Sequence, residues 1–188
     1  MYLKLGNIVV VSRAKRKKPM YRKILVAVDE TELSKQAFQK AISIAKAFDA
    51  KLLVIHVVSP PVVEYQNSSS LIMGDVLYPE MSDNLAREEF VTLEERGWNL
   101  LRSLQEEAQK AGIKVEVVEQ IGQPEQEISQ FAKTWNADLI VIGSHGRKGL
   151  GELLFGSTSN YVSHHVNCSV LLVHQQEKLT ISAEEFIE

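Results

Sequence analysis

ADLIVIGSHGRKGLGELLFGSTSN, residues 137–160, decides how the rest of the chain is read. It opens on an apolar run, Ala137 to Ile142, with the composition of a strand covered on both faces. Four of the chain's ten glycines then fall between Gly143 and Gly151, and a fifth, Gly156, follows. A helix can begin at Ser157 or Thr158 and run to about His165. A strand, a glycine-rich turn and a helix N-terminus, in that order, gather backbone amides around an anion.

The same alternation appears on either side. Ile24 to Val28 is a continuous apolar run ended by Asp29-Glu30-Thr31. Thr31 suits an N-cap, Glu32 suits the positive end of a helix, and Ala37, Phe38, Ala41, Ile42, Ala45 and Phe48 recur at helical spacing. Lys51 to Val58 is a second buried strand. Residues 59–84 hold three of the five prolines and little periodicity, so a long mobile excursion is expected there. A helix from about Leu85 carries the stripe Leu93, Leu100, Leu101, Leu104, Ala108 and Ala111, with Gly112 as its stop. Ile113 to Val117 alternates apolar and polar, as a strand near a sheet edge does. Pro124 sits in the first turn of a helix reaching Trp135 through Ile128, Phe131 and Ala132. Ser169 to Val173 is a fifth strand. Strands alternating with helices predict an α/β fold, a doubly wound parallel sheet with helices on both faces. In such sheets ligands bind beyond the carboxyl ends of the strands, where strand order reverses.

With 188 residues the chain is expected to form one domain, residues 20–175, flanked by a leader, 1–19, and an acidic tail, 176–188. The net charge of −3 conceals an asymmetry, because residues 1–23 hold eight basic and no acidic residues. The remainder carries thirteen basic against 24 acidic residues, which makes nucleic acid an unsuitable partner for the body of the fold. The leader is expected to be a solvated, disordered arm, or to lie upstream of a true start at Met20. A single cysteine, Cys168, excludes an intramolecular disulfide and a cysteine-based zinc site. No run approaches the roughly 18 apolar residues of a membrane span, and a cytoplasmic location is expected.

Two common phosphate loops do not fit. A Walker A loop needs a hydroxyl residue after Gly-Lys, but here Lys148 precedes Gly149. A dinucleotide fingerprint needs three spaced glycines after the first strand, and the turn Asp29-Glu30-Thr31-Glu32 has none. What remains is Gly143-x2-Gly146-x9-Gly156-Ser157. With Lys23-Ile24-Leu25-Val26-Ala27-Val28-Asp29, Ile142-Gly143-Ser144-His145-Gly146 and the run Leu154 to Val162, this pattern resembles the ATP-binding branch of the universal stress protein family. The resemblance spans Met20 to Val173.

The resemblance implies an adenine nucleotide alpha hydrolase-like sheet of order 3-2-1-4-5, with Asp29 and Gly143 facing each other across the reversal. It implies ATP, with Mg²⁺, as the cofactor. Ala27, Val28 and Ile142 would line the apolar side, Val57 and Val58 would flank the adenine, and Asp29 would lie near the ribose. Gly143 and Gly146 would let the backbone turn at positive φ. Gly156, Ser157 and Thr158 would face the phosphates, with His145 and Arg147 in the binding loop. From the residues alone, Asp29 is equally a strand-end cap, and Ser157 and Thr158 are equally N-caps. The resemblance also implies a homodimer through Ser169–Val173. The expected role is a nucleotide-dependent sensor acting on an unidentified protein partner. A slow ATPase or autophosphorylating enzyme, with Ser144, Ser157, Thr158 and Ser159 as acceptors, and a nucleotide-free dimeric module are the alternatives. No catalytic residue is assigned: His145 has no carboxylate near it in sequence to orient it. His164 and His165 point about 100° apart on a helix and make a poor metal pair, and Cys168 reads as an inert thiol.

Overall fold

Ile24–Val28 can be apolar at every position because helices cover both faces of the sheet it occupies. In the computed structural model, which describes residues 3–5, 8–10, 19–59, 84–144 and 156–174, alternate residues of this run enter two separate cores. Ile24, Val26 and Val28 pack with Ala37, Phe38 and Leu101, while Leu25 and Ala27 pack with Ile128, Ala132 and Val162.

In chain order the elements are β1 (Leu3–Leu5), β2 (Ile8–Val10), β3 (Lys23–Val28), α1 (Glu32–Phe48), β4 (Lys51–Val58), α2 (Asn84–Lys110), β5 (Val115–Ile121), α3 (Pro124–Trp135), β6 (Leu139–Gly143), α4 (Ser157–His165) and β7 (Ser169–Val173). The first two, within the leader, pair antiparallel as a sheet of their own. The other five strands are parallel, in the order β5-β4-β3-β6-β7. Counted within that sheet the order is 3-2-1-4-5, as the resemblance implied. The order reverses between β3 and β6, where successive crossovers take opposite faces. The excursion expected at 59–84 and the tail at 176–188 lie outside the described residues, apart from Ser59 and Asn84.

Local chemistry sets the boundaries. Thr31 caps α1, its hydroxyl accepting from the Ser34 amide at 3.2 Å. At the far end of α2, Gly112 adopts φ +79 and the Ile113 amide donates back to the Ala108 carbonyl at 3.0 Å. That helix cap corrects the expected strand at Ile113–Val117: Ile113 is spent on the cap, and β5 runs to Ile121 because Ile55–Val58 offer it partners. Its edge position is the one the alternation predicts. The expected strand from Ala137 likewise begins later, at Leu139. The Ala137 amide closes α3 on the Ala132 carbonyl, and the Asp138 carboxylate accepts from the Arg22 and Lys23 amides at 2.8 and 2.9 Å.

One interior glycine has a steric origin. Gly97 lies in the middle of α2, where glycine costs about 1 kcal/mol relative to alanine. A Cβ there would meet Glu119 Oε1 and His56 Nδ1, side chains that pair at 3.1 Å between the sheet and this helix. The helix packs closely over the pair because residue 97 has no side chain.

Candidate functional site

At the carboxyl ends of β3, β4 and β6 lies a cavity of about 290 Å³. Its apolar wall is formed by Ala27 and Val28 of β3, Ile55 and Val57 of β4, Ile142 of β6, and Pro124 and Ile128 of α3. Its polar rim holds Asp29, Thr31, Ser157, Thr158 and Ser159. The nine expected site residues that are described, Ala27, Val28, Asp29, Val57, Ile142, Gly143, Gly156, Ser157 and Thr158, all line it. His145, Gly146 and Arg147 lie outside the described residues.

The two helix starts at this cavity differ. At α1, Asp29 and Thr31 form a closed set of hydrogen bonds with Ser34. At α4 the N-cap is Gly156, with φ −57 and ψ 148, and no side chain among the described residues caps the helix. This corrects the reading of Ser157 or Thr158 as cap. The first amides of a helix have no carbonyl partner within it. Here they open on the cavity rim together with the exposed Ser157 hydroxyl and the positive end of the helix dipole.

Three other expectations change. Gly143 does not adopt positive φ. It continues β6 opposite Val173, and a Cβ on it would stand 3.1 Å from Leu33 Cγ, so the requirement is for space. Val58, expected beside Val57, is buried and does not line the cavity. Ser144 and Ser159 are not open acceptors. They are 1% and 2% exposed and their hydroxyls lie 3.3 Å apart, with Ser159 also donating to the Gly156 carbonyl at 3.0 Å. This pair ties the end of β6 to the first turn of α4.

Pro124, Ile128 and Ile55 were missed as lining residues. Ile128 and Ile55 read as ordinary core in the sequence, and Pro124 as a helix starter. Only the return of α3 across β4 brings them to the site. Elsewhere His165 stacks on Tyr161, with ring centroids 3.7 Å apart, and its Nδ1 lies 2.8 Å from the Tyr161 carbonyl. Burial pushes the Cys168 thiol up from its ordinary pKa. Among the described residues no three His, Cys, Asp or Glu side chains are grouped to hold a metal. No described helix is long and apolar enough to cross a membrane.

A parallel sheet that reverses at an apolar slot, with an acidic strand end on one side and a helix start on the other, defines a doubly wound α/β architecture. The model of the universal stress protein family matches residues 20–174. A universal stress protein of Synechocystis sp. is 38% identical over 158 residues, covering 81% of this chain and 97% of the relative. One from Bacillus subtilis is 35% identical over 154 residues, covering 82% of this chain and 99% of the relative. Solved structures agree on the fold. A universal stress protein from Lactobacillus plantarum superposes with a TM-score of 0.66 at 24% identity, over 81% of this chain and 97% of that one. A universal stress protein in complex with cAMP gives 0.59 at 23% identity, over 84% and 99% of the two chains. One from Arabidopsis thaliana with AMP bound gives 0.56 at 20% identity, over 87% and 98%. The chain belongs to the universal stress protein family.

Proposed function

We propose that the cavity binds an adenine nucleotide, ATP accompanied by Mg²⁺, and that the bound nucleotide sets the surface offered to a protein partner during stress. One observation carries this reading. Residues from β3, β4, β6 and α4, distant in sequence, converge on a slot with apolar walls, an acceptor at Asp29 and amide donors at Gly156-Ser157-Thr158. An apolar slot suits a base, an acceptor suits a sugar hydroxyl, and an uncapped helix start suits phosphate. The AMP and cAMP complexes of proteins with this fold support the same class of ligand. Without a carboxylate cluster among the described residues, Mg²⁺ would be carried by the phosphates of the nucleotide.

The test is the nucleotide content of protein purified without added ligand, followed by calorimetric titration of stripped protein with ATP and Mg²⁺. Adenine nucleotide near one per chain, or saturable heat, is expected. Absence of both would overturn the reading.

We infer as well that two copies pair along β7. It is the outer strand of the sheet, with half-buried Val170, Leu171 and Leu172 and no partner strand beyond it among the described residues. An open apolar edge is an aggregation hazard unless paired. Sedimentation at micromolar concentration should give a dimer; a monomer overturns this.

A further inference from the structure

We propose that Thr31 is a positioning residue: it fixes the Asp29 carboxylate so that one oxygen reads a hydroxyl of the ligand's ribose, and so makes sugar recognition a property of this site. The inference rests on the nucleotide reading above.

The geometry is local and complete. Asp29 Oδ1 accepts two hydrogen bonds from one residue, the Thr31 amide at 2.9 Å and the Thr31 hydroxyl. A hydroxyl has a single proton. With that proton on Asp29, a lone pair on Thr31 Oγ1 accepts from the Ser34 amide at 3.2 Å. The Asp29 amide in turn donates to the Ser34 hydroxyl at 2.8 Å, and Ser34 is buried in the first turn of α1. Both the main chain and the side chain of Asp29 are therefore anchored to a helix whose Ala37, Phe38 and Ala41 are fully buried. Among the described residues none donates to Oδ2. Asp29 and Thr31 are exposed residues, and both line the cavity.

A free aspartate on a strand end would lose rotamer freedom on binding. One held in advance does not, and the affinity gained is the cost avoided. The carboxylate is an acceptor and a negative charge, so it excludes phosphate from its end of the slot and admits a hydroxyl. The amides at the start of α4 have the opposite preference. The two poles orient a ligand with an anion at one end and a neutral hydroxyl donor between that anion and its base. The sugar of a nucleotide has that chemistry.

The experiment compares ATP, 2′-deoxy-ATP and 3′-deoxy-ATP by calorimetry on the full chain, the Thr31→Val, Thr31→Ser and Asp29→Asn variants, and the double variant. In the unmodified protein at least one deoxy analogue should bind about tenfold or more weakly, the range for a hydrogen bond to a charged group. Thr31→Val should weaken ATP and shrink that penalty to about twofold or less. Thr31→Ser, which keeps the amide and the hydroxyl, should restore it. In the Asp29→Asn background Thr31→Val should leave the penalty unchanged, because Thr31 acts through Asp29.

Three results overturn the inference while leaving nucleotide binding intact. They are no deoxy penalty in the unmodified protein, equal weakening of all three ligands by Thr31→Val, or a further loss of discrimination in the double variant. Equal weakening would mark Thr31 as a helix cap and nothing more. Failure of every nucleotide to bind the unmodified protein would instead remove the parent reading, and this inference with it. Should Thr31→Val not fold, Thr31→Ala, which also removes the hydroxyl that Asp29 accepts from, carries the same comparison.

Discussion

Helices α1 and α4 start at the same cavity, and their first turns are completed in opposite ways. The α1 start is closed by its own chain, through Thr31, Asp29 and Ser34. The α4 start has a glycine at the cap and, among the described residues, no side chain hydrogen-bonded to its amides. Their anchoring differs too. The seventeen residues of α1 bury Leu33, Ser34, Ala37, Phe38, Ala41, Ile42 and Ala45, whereas the nine of α4 bury only Ser159 and Val162. The long helix is architecture that also holds an acceptor in place. The short helix buries little and starts on a glycine, with no side-chain cap among the described residues.

The comparison breaks first, and most severely, in the cores. Phe38→Ala should cost about 3–5 kcal/mol in urea unfolding, as a buried phenylalanine does. Val162→Ala, with less to lose, should cost roughly 2 kcal/mol. Equal losses would mean that α4 is held as firmly as α1. A closer test closes the open end. Gly156→Asp supplies the missing cap and places a negative charge where an anion would sit. It should weaken ATP about a hundredfold or more, and leave stability unchanged or raised by up to about 1 kcal/mol. Undiminished ATP binding would show that the α4 start is not the phosphate end. The reverse experiment opens the closed end: Thr31→Ala should cost about 1 kcal/mol of stability, the usual worth of a side-chain cap. The smallest effect lies away from the cavity. Burial raises the Cys168 pKa, so less thiolate is present at a given pH, and iodoacetamide at pH 8 should label it more slowly than a small free thiol. Labelling as fast as the free thiol would show that the strand start at Ser169 opens readily.

Much of the fold was legible because it rests on patterns that each segment carries alone. Lys51–Val58, Ser157–His165 and Ser169–Val173 are read from the sequence with the bounds the structure has. Their apolar runs are bounded by strong punctuation. Where neighbouring elements compete for one residue, local reading fails. Ile113 has the composition of a strand and serves as a helix cap, and Ala137 does the same. The site was legible in part. The strand-end aspartate and the glycine spacing pointed to Asp29, Gly143 and Gly156. Pro124, Ile128 and the buried Ser144–Ser159 pair had no such marker, since nothing in a sequence says which core residue will face a cavity.

By itself the sequence determined the alternation of strands and helices, the caps at Thr31 and Gly112, and a glycine-rich segment after the fourth strand of the sheet. Periodicity, cap chemistry and glycine content act over a few residues and need no distant partner. Only the tertiary structure decided that Gly143 is required for its closeness to Leu33, that Gly97 makes room for His56 and Glu119, and that the α4 start shares a cavity with Asp29. The first and last depend on which surfaces meet when β3 and β6 lie side by side, the second on how α2 lies over β4 and β5, and such meetings between residues far apart in the chain leave no local trace.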